Sequence, residues 1–177
     1  MNCKSMAAVL GGVLAVLALS GSPAARAAPP ADACSLLNPA QVTAALGVSV
    51  AAGKNIVPGS LAVCGWEVAG QHGMNRKRVV LSIYTRIGSL TPLERFNHAK
   101  APIGGIEKEP VSGVGDDAIF VTTPGFGTGL IFREGDGAFD LRVYGFPIDQ
   151  VEAKEKNLAD CVIQSLTNGR LSGACPA

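Results

Sequence analysis

The sequence has only two histidines, and the spacing of its potentially catalytic side chains matches no catalytic motif. The two histidines are His72, in a glycine-flanked loop, and His98, two residues after Phe96. A serine hydrolase needs a histidine near a serine held on a sharp turn, and the Gly-x-Ser-x-Gly motif of such a turn does not occur. We therefore interpret both histidines as exposed side chains and predict a protein without catalytic residues.

Two adjacent aspartates, Asp116 and Asp117, are the best candidates for metal ligands, because carboxylate oxygens bind calcium. Neighbouring side chains on an extended strand point in opposite directions, so both reach one ion only in an irregular turn. We expect instead that one aspartate accepts hydrogen bonds from turn N–H groups and that the other faces water. The preceding glycines resemble a dinucleotide-binding motif, but that motif needs a following helix, and this segment leads into a strand. No metal and no cofactor is predicted.

The five cysteines indicate the compartment. Cys3 lies in an export signal, and the remaining four form the even set that is typical of disulfides in an exported domain. Of the three possible pairings, Cys34–Cys64 with Cys161–Cys175 requires the least rearrangement. In that pairing, one bond joins the first helix to the strand it packs against, and the other joins the last helix to the tail. The cysteines are scattered and form no Cys-x-x-Cys motif, which argues against zinc and redox catalysis.

The first 27 residues have the composition of a signal peptide. Lys4 supplies a positive charge, residues 6–19 are an uninterrupted apolar run, and the Ala-Arg-Ala sequence at 25–27 suits signal peptidase. The run is shorter than the roughly 20 residues of a membrane span, and no cysteine for lipid attachment follows it. We predict cleavage after Ala27 and a protein that is periplasmic or secreted, with no stable membrane anchor.

Charge excludes one class of partner. Removing the signal takes away Lys4 and Arg26, so 13 basic residues stand against 14 acidic ones. A nucleic-acid-binding protein normally has a basic surplus, so we predict no nucleic-acid partner. The basic cluster at residues 76–78 is interpreted as a charged turn that keeps a strand end in water.

Three helices are predicted from their end signals. The first begins after Asn38, with Gln41 completing a capping box, and ends at Gly47. The second begins after Thr91, with Glu94 completing the box and Phe96 as its apolar anchor. The third runs from Asp149 to Asn168 along a stripe of apolar residues, namely Val151, Leu158, Val162 and Leu166.

Alternation of apolar and polar residues predicts five strands, at 64–68, 79–87, 118–123, 130–133 and 138–144. The order is α-β-β-α-β-β-β-α. Each strand has one apolar and one mixed face, which favours an α+β fold with a single antiparallel sheet and helices packed on one face. We predict a loose leader at 28–33 and one domain at 34–177, stapled by two disulfides, with Trp66 packed against one of them.

Three segments resemble small secreted bacterial proteins of unknown function, and among these the actinobacterial envelope lipoproteins with a CxLLtPxxV…CxW…GxGDxA layout. The segments are Cys-Ser-Leu-Leu-Asn-Pro-Ala-Gln-Val at 34–42, Cys-Gly-Trp at 64–66 and Gly-Val-Gly-Asp-Asp-Ala at 113–118. The resemblance implies a disulfide between Cys34 and Cys64 and a helix-backed antiparallel sheet. This chain lacks the lipid-attachment cysteine, so anchoring does not carry over, and the family offers no catalytic residues to transfer.

We expect a non-enzymatic envelope protein that binds a partner through its polar sheet face and long loops at 52–63, 70–78 and 123–129. The candidate interaction residues are Tyr84, Arg86, Phe126, Arg142 and Tyr144.

Two alternatives stay open. The first is an inhibitor of a secreted hydrolase, as in the β-lactamase inhibitor proteins, with Tyr84, Tyr144 and Phe126 as anchors. The second is a small hydrolase or metal-dependent enzyme, which requires His72 and the pair Asp116–Asp117 to lie in one pocket.

Overall fold

The computed structural model describes residues 30–71, 73 and 76–168. The predicted signal peptide, His72 and Cys175 lie outside these residues. After a 3-10 turn at Ala33–Ser35, the helices and strands follow in the order α1, β1, β2, β3, α2, β4, β5, β6, β7, α3. The bounds of the helices are α1 Pro39–Leu46, α2 Pro92–Lys100 and α3 Ile148–Asn168. Those of the strands are β1 Lys54–Asn55, β2 Val63–Glu67, β3 Arg78–Ile83, β4 Glu107–Val111, β5 Asp117–Thr123, β6 Gly127–Glu134 and β7 Gly137–Tyr144.

All seven strands form one antiparallel sheet in the order β1-β2-β3-β7-β6-β5-β4. The α+β class is therefore confirmed, but the expectation of about five strands was wrong. The two missed strands are the edges of the sheet. β1 has only two residues, both exposed, and β4 reads Glu-Lys-Glu-Pro-Val, so neither shows the alternation that marks a half-buried strand.

Two further boundaries differ from the sequence prediction. β6 begins at Gly127, so most of the predicted loop at 123–129 is strand, joined to β5 by a short turn. β3 ends at Ile83 rather than at Ile87, which is 58% exposed and forms an isolated bridge with Leu90. By contrast, the two-residue turn between Glu134 and Gly137 closes the β6–β7 hairpin as predicted.

The main core lies between one face of the sheet and helices α1 and α3. Inward-facing residues of β3 and β7 alternate along their strands as predicted, for example Leu81 beside Leu141 and Val79 beside Val143. Leu158 and Val162 of α3 are fully buried against this face. We call it the core face of the sheet.

Helix α2 lies on the opposite face, where Phe96 packs with Ile119, Val121 and Ile131 in a second, smaller core. The prediction that all helices pack on one face was therefore wrong. The reason lies in β5 and β6, which are apolar on both sides: Ile131 is buried against α2, and its neighbours Leu130 and Phe132 are buried in the main core. A strand that is buried on both faces carries no alternation to reveal its second covering layer.

The helix ends agree with the sequence signals. Asn38 and Gln41 form both bonds of a capping box at α1, as do Thr91 and Glu94 at α2. Gly47 ends α1 in the left-handed conformation, with φ of 72°. α3 begins one residue before the predicted Asp149.

One predicted disulfide is present, joining Cys34 to Cys64 with the Cα atoms 5.1 Å apart. Trp66 is buried beside it, as predicted. Cys161 is fully buried on α3, and its predicted partner Cys175 lies outside the described residues, so the second disulfide stays a prediction.

Candidate functional site

One part of the sheet carries polar side chains that no helix of the described chain covers. α2 packs on β6 and β7 near one end of the strands. Beyond it, the same side of β2, β3 and the last residues of β7 is partly exposed. We call this region the open strand face. Its principal side chains are Lys54, Glu67, Arg76, Arg78, Val80, Asp140, Arg142 and Tyr144.

Arg142 lies at the centre of the open strand face. Its Nε donates to Oδ1 of Asp140 at 2.9 Å and its Nη2 donates to Oδ2 at 3.3 Å, which is the bidentate geometry that guanidinium and carboxylate groups favour. Partial burial disfavours the charged guanidinium, but the charge and hydrogen bonds of Asp140, together with the nearby Tyr144 and Glu155, outweigh this and raise the pKa of Arg142. The side chain lies over Gly129, where a Cβ atom would be 2.9 Å from its Cγ. A glycine in β6 therefore makes room for this ion pair.

Two arginines stack on the two tyrosines of the chain. The guanidinium carbon of Arg78 lies 4.4 Å from the ring centre of Tyr144, and that of Arg95, on α2, lies 4.4 Å from the ring centre of Tyr84. Burial and the nearby Asp140 carboxylate raise the pKa of Tyr84 to about 12, so this hydroxyl stays protonated at physiological pH. Each stack holds a flat cationic group in place at the surface.

The β2 end of the open strand face has a shallow cavity of about 200 Å³. Glu67 contributes its carboxylate, which lies 3.8 Å from Nζ of Lys54 and 3.3 Å from Nη2 of Arg76. Gly65 forms part of the cavity wall. The side chain of Ile56 lies against Gly65, where a Cβ atom would be 2.9 Å from its Cγ2. Among the described residues, the cavity holds one carboxylate between two cationic side chains.

The structure brings together three of the five candidate interaction residues. Tyr84, Arg142 and Tyr144 share the side of the sheet that bears α2 and the open strand face. Phe126 is 75% exposed in the short β5–β6 turn, at the same end of the sheet as Tyr144. Arg86 lies apart, in the exposed loop after β3, where it donates a long bond of 3.5 Å to the carbonyl of Ser89.

The two aspartates take separate partners. Asp116 Oδ2 accepts the backbone N–H of Gly135 at 2.8 Å and also bonds Arg133, so one aspartate does accept a turn N–H group. Asp117 pairs with Nζ of Lys100 at 2.6 Å rather than standing free in water. Over the described ranges, no group of three or more His, Cys, Asp or Glu side chains could hold a metal ion.

The sequence did not lead us to predict one buried acidic residue, Glu155. Glu155 of α3 is fully buried, its Oε1 accepts the backbone N–H of Val143 at 2.9 Å, and its Oε2 has no hydrogen-bond partner. Burial raises its pKa to about 8, against the smaller opposing effect of that hydrogen bond. The burial of Glu155 could have been predicted from its position in the sequence. It lies four residues after Val151 and three before Leu158, within the apolar stripe of the helix.

Comparison with known proteins does not assign this site. The chain matches no protein-family model, no curated protein and no solved structure. None of the helices in the part of the chain that the structure describes is long and apolar enough to cross a membrane.

Proposed function

We propose that this protein is an exported, disulfide-stapled binding module without enzymatic activity, and that it engages its partner through the open strand face. The observation that carries the proposal is the incomplete covering of the sheet by α2. The exposed part of that face holds guanidinium groups, two of them oriented by Asp140 and Tyr144. Side chains whose orientation is fixed before binding lose less entropy when a partner is bound.

The edges of the sheet favour binding through its face. β1 is two residues long, and β4 carries three charges and Pro110, so both edges resist the addition of a further strand. The charged groups on the open strand face are engaged in ion pairs and ring stacking rather than aimed at a common reacting point. These features suit recognition better than acid–base catalysis.

Site-specific photo-crosslinking in the native envelope tests the proposal. p-Benzoylphenylalanine at Val80, on the open strand face, is compared with the same residue at Glu109, which is exposed on the β4 edge. We expect a discrete adduct from position 80 and none from position 109. Absence of an adduct at position 80, or the same adducts from both positions, would overturn the proposal.

Phe126 supports a second candidate function, inhibition of a secreted hydrolase. A large aromatic side chain that is 75% exposed in a hairpin turn can enter an active-site cleft. A panel of secreted hydrolases assayed with the protein and with Phe126→Ala tests this idea. Inhibition that is lost in the variant supports it, and no inhibition at micromolar protein contradicts it.

A further inference from the structure

We infer that the partner of the open strand face is a protein that presents an acidic surface. This inference rests on the proposed function and adds the chemical class of the partner. The face carries four cationic side chains against two carboxylates, those of Glu67 and Asp140. The four cations are Lys54, Arg76, Arg78 and Arg142. This local surplus contrasts with the balanced charge predicted for the exported chain.

Arg78 is the cation of this face that has no carboxylate partner among the described residues. Arg142 has a carboxylate partner in Asp140, and Arg76 shares Glu67 with Lys54. Arg78 stacks on Tyr144 and pairs with no carboxylate of the described chain. The Nε atoms of both Arg76 and Arg78 are buried and have no hydrogen-bond acceptor among the described residues. A carboxylate from outside the chain would complete the pairing of Arg78.

The arrangement fits a folded acidic protein better than an anionic membrane or a polyanion. Glu67 and Asp140 stand among the cations, and both would repel a uniformly negative surface. A protein partner can place its own basic groups opposite these two acids. Arginine and tyrosine are also among the side chains that contribute most to protein–protein interfaces.

Titration with a defined acidic peptide tests the inference. The probe is a ten-residue peptide of alternating glutamate and tyrosine with blocked ends, and its matched control has glutamine in place of every glutamate. Amide NMR shifts locate the binding site. We expect the glutamate peptide to shift β3 and β7 resonances, with affinity that falls as salt rises. The glutamine peptide should bind about tenfold more weakly or not at all.

Three variants separate charge from folding. Arg78→Gln should weaken the glutamate peptide about tenfold, whereas Arg86→Gln, the same substitution on the loop after β3, should not change its affinity. Glu67→Gln removes a negative charge from the face while leaving the Asp140–Arg142 ion pair in place, and should tighten binding, a result that loss of structure cannot produce. Equal binding of the two peptides, or equal effects of the two arginine variants, would overturn the inference. Tighter binding to phosphatidylglycerol vesicles than to the peptide, through the same residues, would overturn it as well.

Failure of this inference can be told apart from failure of the proposed function. A crosslinked adduct at position 80 that is unaffected by Arg78→Gln and not competed by the glutamate peptide contradicts an acidic partner. The open strand face then remains a binding surface. Absence of any adduct contradicts the proposed function itself.

Discussion

Glu155 Oε1 accepts the backbone N–H of Val143 at 2.9 Å, at the point where β7 loses its strand partner on one side. The pairing of β6 with β7 ends at Leu130 and Leu141, although both strands continue beyond these residues. The N–H of Val143 is therefore satisfied by a helix side chain rather than by β6. A buried N–H without an acceptor would cost about 1–3 kcal/mol, so this one bond supports the end of β7 that carries Arg142 and Tyr144.

Stability should fall as pH rises through the range in which Glu155 titrates. Its pKa in the folded protein is about 8, above the ordinary value of 4.5, so the folded state holds this proton more tightly than the unfolded state. The stabilisation is complete below about pH 4.5 and is lost progressively up to about pH 8, at a maximum of about 1.4 kcal/mol per pH unit. Urea unfolding at a series of pH values measures this slope. Arg142 and Asp140 on β7 and Glu152 on α3 act on the same carboxyl, so wild type is compared with Glu155→Gln. The free energy of unfolding should fall less steeply with pH in that variant. Equal slopes in the two proteins would contradict the assignment of this pH dependence to Glu155.

Two substitutions at Glu155 should differ in their effect at neutral pH. Neither glutamine nor alanine can ionise, so both variants lack the cost of keeping Glu155 protonated at neutral pH, and the two are compared with each other. Glutamine keeps an oxygen that accepts the Val143 N–H, whereas alanine removes the acceptor and leaves a cavity, so Glu155→Ala should be about 2–4 kcal/mol less stable than Glu155→Gln. Denaturant unfolding gives this difference, and hydrogen exchange at the Val143 amide should be accelerated only in the alanine variant. Equal stability of the two variants would show that this hydrogen bond does not stabilise the fold.

Gly53 should not tolerate alanine. A Cβ atom there would lie 2.6 Å from Nε1 of Trp66 and 2.9 Å from Sγ of Cys64, both of which are held in the core beside the disulfide. Overpacking of this kind costs about 1–3 kcal/mol. Gly104 provides the matched control, because a Cβ there meets nothing within 4 Å and its φ is not in the left-handed region. Thermal unfolding should show a lower Tm for Gly53→Ala and little change for Gly104→Ala; the opposite order would refute this packing argument.

Loss of the Cys34–Cys64 disulfide should lower stability without changing the fold. The two cysteines are 30 residues apart, and a bond closing a loop of that size stabilises a protein by about 2–4 kcal/mol. We expect the double variant Cys34→Ala with Cys64→Ala to lose about that much in urea unfolding. Its circular dichroism should stay unchanged, because the sheet keeps its strand pairing and its core. Wild type without reductant serves as the reference, and a loss below about 0.5 kcal/mol in the double variant would contradict a structural role for this bond.

Much of the local structure could be predicted from particular residues. Asn38 with Gln41 and Thr91 with Glu94 specified where two helices begin, since both halves of each capping box lie within four residues of sequence. The glycines flanking the β6–β7 turn specified that hairpin, and the alternation of Phe139, Leu141 and Val143 specified which side of β7 faces the core. Three of the five proposed surface residues share one side of the sheet because the same two-residue period places polar side chains opposite apolar ones.

What the tertiary structure decided depends on neighbours that are distant in sequence. β1 and β4 exist because β2 and β5 offer them backbone hydrogen bonds, and their own side chains carry no strand pattern. Helix α2 packs on the side of the sheet that bears Ile119 and Ile131. Because β5 and β6 are apolar on both sides, their sequences do not show which side faces the main core and which faces α2. The open strand face is the part of the sheet that α2 is too short to reach. Helix caps and tight turns depend on a few adjacent residues and can therefore be predicted from the sequence. The pairing of the edge strands, the placement of α2 and the burial of Glu155 depend on packing between distant segments across the whole sheet.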